Sequence, residues 1–275
     1  MPDATVATNR PMSPPPPLTA AADLPRQLAS AGWAVLEAAA LRRLARGRGA
    51  DAAHGGNDEG EDGALNWAAL APAWDTLPPD RHLRDGGRYR RRRHGSFVIE
   101  AGRCHAVPHR AHWQPVEYNA LHGGIERWFE PLPEALSADP AWPRLLLAGA
   151  GIAGMLRGAA RWCVEAHMFR IDTTDGIGRP TPEGAHRDGV NLVAVVLIGR
   201  HAVKGGETRV FDARGPQGVR FTLHEPWSVL LLDDERVIHE TTPIQPAGDG
   251  IGWRDTLVLT YRREAFQGPQ ERSAL

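Results

Sequence analysis

At 275 residues the chain has room for one large domain or two small ones with a sizeable core, and the sequence reads as one. With 32 Lys+Arg against 33 Asp+Glu and a formal net charge of -1, it offers no electrostatic case for binding nucleic acid or an anionic membrane. Two cysteines, Cys104 and Cys163, cannot alone build a disulfide framework or a four-ligand zinc site, and no apolar run approaches the roughly 20 residues that span a bilayer, so a soluble cytoplasmic protein with reduced thiols is expected.

Residues 1–20 carry Pro14-Pro15-Pro16-Pro17 and lack the basic and apolar regions of a secretory signal, which predicts a disordered or polyproline tail. A single domain is expected from 21 to 275, with a helical and lid portion over 21–160 and a β core over 161–263. Leu18 to Arg46 is Ala/Leu-rich at helical spacing, interrupted by the strand-like Gly32 to Leu36, and reads as helix, strand, helix. His54 to Gly63 is acidic and Gly-rich; its carboxylates fit no EF-hand spacing, and a solvated loop is expected. Arg88-Tyr89-Arg90-Arg91-Arg92-Arg93-His94, the sole basic cluster, reads as a solvated strand edge kept from pairing by charge. Pro140 to Ala160 predicts a helix packed on a sheet. Arg161 to Ile171 alternates as a strand, with Glu165, His167 and Phe169 on one face and Ala166, Met168 and Arg170 on the other.

The strand leads to the only His-x-Asp in the chain. In an extended segment His186 and Asp188 share a face, and an imidazole beside a carboxylate supplies two of the three ligands of the facial triad that holds non-haem Fe(II) with open positions. Asn191 to Ile198 follows as a buried strand, and Lys204-Gly205-Gly206-Glu207 has turn chemistry before Thr208 to Phe211, which predicts a hairpin. Trp227 to Leu232 is apolar, Asp233 to Arg236 breaks it, and Val237-Ile238-His239 puts His239 on or just after a core strand. His201 and His224 compete for the distal ligand position, but His201 falls in the turn region and His224 precedes Glu225-Pro226 with no Arg-led strand behind it. A Pro/Gly-rich loop then leads to the last strand, opened by Arg254 with Thr256 on the same face.

The order His-x-Asp, strands, His, loop, Arg resembles the iron(II)/2-oxoglutarate-dependent dioxygenases, and specifically their free amino-acid hydroxylase branch, typified by isoleucine hydroxylases. The matching stretches are Pro182 to Gly189, Val203 to Glu207, Val237 to His239 and Gly252 to Asp255, with Gln114 to Arg127 upstream; together they cover about residues 85 to 263. The resemblance implies a mainly β fold with flanking helices (α+β) around a double-stranded β-helix, or jelly-roll, core. It further implies Fe(II) held by His186, Asp188 and His239, with 2-oxoglutarate and O2 as co-substrates and release of succinate and CO2. The distal carboxylate of 2-oxoglutarate calls for a planar, permanently charged donor, which Arg254 provides, with Thr256 adding a hydroxyl. Retention of Asp188 speaks against the halogenating relatives, in which a small residue replaces the carboxylate.

A free L-amino acid is the expected small-molecule substrate, and its two charged ends must be met in a mostly dry pocket. Two places offer groups for them: Tyr118 and Asn119 in the segment after Gln114, and His167 and Arg170 on the strand before the His-x-Asp. Arg170 or one of Arg90 to Arg93 is the expected carboxylate partner, with Asn119 near the amino group, and the Arg-rich strand resembles one at this place in the amino-acid hydroxylases. Two other readings stand beside this one: an oxygenase acting on a peptide, a carrier-bound residue or a secondary metabolite, and a non-catalytic cupin-like metal-binding barrel, which the His-x-Asp pattern in place of His-x-His disfavours.

Overall fold

The computed structural model describes residues 14–47, 67–158, 160–263 and 265–269. The acidic loop expected over His54 to Gly63 and residues 1–13 of the expected tail lie outside these. From Pro14 onward the chain is tied to the protein: Thr19 N donates to Val35 O at 2.8 Å and Thr222 N to Pro14 O at 3.3 Å.

In chain order the helices are α1 (Leu24–Ala31), α2 (Ala38–Arg46), α3 (Glu134–Ser137) and α4 (Ala141–Arg157), with a 3-10 helix at Trp67–Thr76. The strands are β1 (Trp33–Leu36), β2 (Arg90–Glu100), β3 (Arg103–Ala106), β4 (Trp162–Asp172), β5 (Leu192–His201), β6 (Val203–Gly205), β7 (Thr208–Asp212), β8 (Gly218–Phe221), β9 (Val229–Leu232), β10 (Val237–Thr241), β11 (Ile244–Pro246) and β12 (Trp253–Arg263). They form a seven-stranded sheet in the order β1-β9-β5-β12-β4-β2-β3, faced by a three-stranded sheet β10-β7-β8 and the pair β11-β6. Every strand pairing is antiparallel, as a jelly roll requires. The expected mainly β fold with flanking helices is the one observed.

Strand alternation sorts the large sheet into two faces. Val164, Ala166 and Met168 of β4 and Leu257, Leu259 and Tyr261 of β12 pack under the helices with Leu145, Leu146 and Trp142. Each fully buried leucine there contributes about 1.5–3 kcal/mol. Gly149 lets α4 approach so closely that Tyr261 donates to Leu146 O at 3.2 Å; a Cβ at this glycine would overlap the phenol ring. The other face of the sheet, carrying Glu165, His167, Phe169, Arg254, Thr256 and Val258, looks toward the small sheet and lines a cavity.

Two local expectations are corrected. The predicted β5–β7 hairpin does not form: β5 lies in the large sheet beside β9 and β12, whereas β7 pairs with β10 and β8. Gly205 and Gly206, at φ 79° and 71°, turn the chain out of one sheet and into the other, and a Cβ on Gly205 would strike the Pro243 carbonyl. The Arg-rich run is not an edge either. β4 pairs along the whole run, from Arg90 opposite Ile171 to Arg93 opposite Met168, and Pro78 to Asp80 cover its other side, with Asp80 N donating to Arg90 O at 2.9 Å and Arg92 N to Pro78 O at 3.0 Å, so Arg90 and Arg92 are buried at 5% and 3% exposure. With β1, β2 and β3 in the large sheet, the β core also draws strands from the N-terminal portion.

Candidate active site

His186 and His239 meet as an isolated antiparallel bridge: His186 N donates to His239 O and His239 N to His186 O, each at 3.0 Å. This fixes the imidazoles with ring centres 4.7 Å apart. Asp188 lies between their inner nitrogens, its oxygens 3.9 Å from His186 Nε2 and 3.9 Å from His239 Nε2. One ligand atom from each of the three falls within 4.8 Å of the others.

The tautomer of His186 suits a metal. Its Nδ1 lies 2.9 Å from Gly184 O, an acceptor only, so the proton sits there and Nε2 presents a lone pair. Burial alone would lower His186, but the Asp188 and Glu183 carboxylates outweigh it and raise it. His239 is held neutral by burial and by the facing His186, and its Nδ1 is buried without a hydrogen-bond partner among the described residues. Burial raises Asp188, which accepts from Gln114 Nε2 at 3.1 Å. Two imidazoles and a carboxylate converging on one point, with the carboxylates beside His186 favouring a positive charge there, fit a divalent transition ion.

Outer contacts that the sequence did not disclose hold the triad. Asp234 accepts from the backbone amides of Asp188 at 3.0 Å, Gly189 at 2.7 Å and Val190 at 3.0 Å, clamping the loop that carries the carboxylate. Gln114 Oε1 accepts from Asn119 Nδ2 at 3.1 Å and Arg127 NH2 at 2.9 Å, so Gln114 is oriented before it reaches Asp188. From the C-terminal segment, Gln267 Nε2 donates to the carbonyls of Asp188 and Gly189 at 3.0 and 2.9 Å.

Arg254 lines the same cavity at 3% exposure, and its Nε and NH2 have no hydrogen-bond partner among the described residues. Burial lowers it to about 10, which leaves it a cation at neutral pH. A buried guanidinium without a carboxylate is costly unless a ligand supplies one, and the planar distal carboxylate of 2-oxoglutarate suits it. Thr256, two residues along β12, lines the cavity with it.

The four expected substrate residues separate. Asn119 and His167 line the cavity; Tyr118 does not, and packs instead against Gly189 on the far side of the His-x-Asp loop. Arg170 is on the wrong face of β4. Its guanidinium donates to Asp255 at 2.8 and 2.7 Å and to Asp75 at 2.8 Å and lies over the Trp253 ring, so the expectation that it meets the substrate carboxylate is corrected. The alternation that sends His167 inward necessarily sends Arg170 outward. On the inward face Glu165 is met by His94 Nε2 at 3.2 Å, His112 Nδ1 at 3.3 Å and Arg110 NH1 at 3.1 Å.

A sequence model of the 2OG-Fe dioxygenase family matches residues 71–260. Among solved structures, a bsmA homolog from Methylobium petroleophilum PM1 is 52% identical, with 92% of this chain and 96% of that one covered and a TM-score of 0.81. IDO from Bacillus thuringiensis superposes with a TM-score of 0.68 at 15% identity over 90% of this chain and all of that one. The Fe(II)/α-ketoglutarate-dependent dioxygenase TqaL does so with a TM-score of 0.64 at 20% identity, covering 91% and 92%, and these two show likeness of fold. No protein of curated function matches the chain by sequence.

Proposed function

Because the chain belongs to the 2OG-Fe dioxygenase family, whose members use Fe(II), 2-oxoglutarate and O2, we propose that it hydroxylates a C–H bond of a free L-amino acid. The observation that carries the reading is the shared cavity of the His186–Asp188–His239 triad and the unpartnered Arg254. Fe(II), when bound, supplies the oxygen-activating chemistry that couples decarboxylation of 2-oxoglutarate to hydroxylation.

The chain's own residues do the rest. His186, Asp188 and His239 hold the ion, and the Gly184 carbonyl keeps the His186 proton off the ligating nitrogen. Arg254 anchors the co-substrate, Thr256 stands ready to hydrogen-bond it, and Phe169, Val195 and Val258 line the cavity with apolar surface that excludes water. The amino-acid assignment rests on charge: the walls carry cations and carboxylates together, which a zwitterion can satisfy and a neutral peptide segment cannot. No helix among the described residues is long and apolar enough to cross a membrane.

The test is a paired assay of each active L-amino acid against its amide and its N-acetyl derivative. Turnover of the free form alone supports the reading; equal turnover of blocked forms replaces it with a peptide or carrier-bound substrate.

A further inference from the structure

Three buried guanidiniums, those of Arg254, Arg92 and Arg127, line the cavity and make no ion pair among the described residues. The distal carboxylate of 2-oxoglutarate can answer only one of them. Arg254 stands opposite Ile171 of β4, while Arg92 stands opposite Phe169 across the other edge of the same strand, so two strand spacings, roughly 10 Å, separate their backbones. A second anion is needed where Arg92 and Arg127 lie.

Arg92 is fixed between two aromatic rings, its guanidinium carbon 3.7 Å from the Phe129 centroid and 4.5 Å from that of Phe169. Its NH2 is 2.8 Å from His167 Nδ1. A guanidinium can only donate, so His167 Nδ1 accepts and the ring's proton is on Nε2. That assignment decides what the neighbouring histidines are for. By count His94, His112, Glu165 and His167 could hold a metal, their ligand atoms all within 4.8 Å. An imidazole whose Nδ1 is taken by Arg92 and whose Nε2 bears a proton is no ligand, and Glu165 is already occupied by Arg110 and His94. His167 is a second donor beside Arg92. Burial drives Arg92 and Arg127 downward, Arg127 to about 10, a penalty that a bound anion relieves.

The same cavity holds a buried carboxylate oxygen without a hydrogen-bond partner among the described residues. Glu183 Oε2 is buried and unbonded, and Oε1 is 3.5 Å from His186 Nε2, which places this acid on the metal side of the cavity.

We propose that Arg92, Arg127 and the Nε2–H of His167 form the carboxylate-binding pole of the substrate site, and that Glu183 receives the substrate's ammonium group, so that the cavity selects an unmodified α-amino acid by both ends. The proposal rests on the amino-acid reading above and names the groups that enforce it. It replaces Arg170 as carboxylate partner, and it gives the inward half of the Arg-rich strand a task that its outward half, Arg91 and Arg93, does not share.

The holoenzyme, loaded anaerobically with Fe(II) and 2-oxoglutarate, is titrated by calorimetry with whichever of the twenty common L-amino acids releases most succinate, with that compound's primary amide, and with its 2-hydroxy acid analogue. The wild type should bind the amide and the hydroxy acid each about thirtyfold more weakly than the amino acid, as expected for loss of one charge-assisted contact. Arg92→Gln and Arg127→Gln should weaken the acid about thirtyfold and leave the amide unchanged; Glu183→Gln should weaken the amino acid and leave the hydroxy acid unchanged. Arg92→Lys and Arg127→Lys, which keep the charge, should fall between. Equal weakening of acid and amide in the arginine variants overturns the carboxylate pole, and equal weakening of amino and hydroxy acid in Glu183→Gln overturns the ammonium pole. If no amino acid releases succinate, the amino-acid reading falls by itself and the carboxylate pole is judged with acetate. Acetate should then raise the Tm of the holoenzyme at lower concentration than that of Arg92→Gln, and equal responses contradict the pole.

Discussion

His186 and His239 exchange both backbone hydrogen bonds across a single bridge, although 53 residues separate them in the chain. The main chain, not the side chains, therefore sets the distance between the two imidazoles. His186→Ala and His239→Ala should leave the bridge and the fold intact while removing a ligand, so Fe(II) binding should fall by at least one to two orders of magnitude with little change in the far-ultraviolet circular dichroism. A variant that bound Fe(II) as the wild type does would remove that residue from the ligand set.

Asp234 satisfies three consecutive amides behind Asp188. Asp234→Ala orphans all three in a buried loop, at about 1–3 kcal/mol for each amide that water does not reach. Lower Fe(II) affinity and faster hydrogen exchange over residues 186–190 are expected, and unaltered exchange there would deny Asp234 its positioning role.

The unpartnered Arg254 guanidinium leads to a separable effect. Arg254→Lys keeps the charge but loses the planar pair of donors, which costs on the order of 2–3 kcal/mol, or about 30- to 150-fold in the apparent affinity for 2-oxoglutarate. Fe(II) affinity should stay near the wild-type value. Titration of the metal-loaded variant with 2-oxoglutarate reads this directly, and an unchanged affinity would place the co-substrate elsewhere.

Acid should destabilise the fold through its buried histidines. His112 is pushed down to about 3 by burial, which outweighs the neighbouring Glu165 carboxylate, so the folded protein keeps it neutral while the unfolded chain protonates it below about 6.5. The stability this contributes is full above that value and is lost as pH falls toward 3, because the unfolded state then binds the extra proton. Metal-free protein should lose about 1.4 kcal/mol per pH unit from this one group between pH 6 and pH 4, and His112→Gln should flatten the dependence by that amount. Urea denaturation across this range is the measurement; identical slopes for the two proteins would contradict the assignment.

The parts of the site legible in the sequence are those whose chemistry is carried by short spacing. His186-x-Asp188 declares itself through strand alternation, and His239 and Arg254 through their places on apolar strands. What was not legible depends on pairing between distant segments. A run of five arginines within Arg88 to Arg93 looks like a solvated edge until β4 pairs with one side of it and the Pro78 to Asp80 segment covers the other, and only then do Arg90 and Arg92 become walls of a cavity. Asp234 reads as a polar break because its three partners lie some 45 residues earlier. Arg170 is not placed by the sequence because alternation does not say which face looks inward: it groups Arg170 with Ala166 and Met168, and the structure turns that group away from the cavity.

The most direct test of the central claim is the stoichiometry of turnover. Purified protein supplied with Fe(II), 2-oxoglutarate and O2 is incubated with each of the twenty common L-amino acids, and succinate and any product heavier by one oxygen are measured together by mass spectrometry. At least one amino acid should yield succinate and hydroxylated product in a 1:1 ratio, with both lost in His239→Ala. Succinate formed at the same rate whether or not an amino acid is present, with no oxygenated product from any of them, would contradict the account.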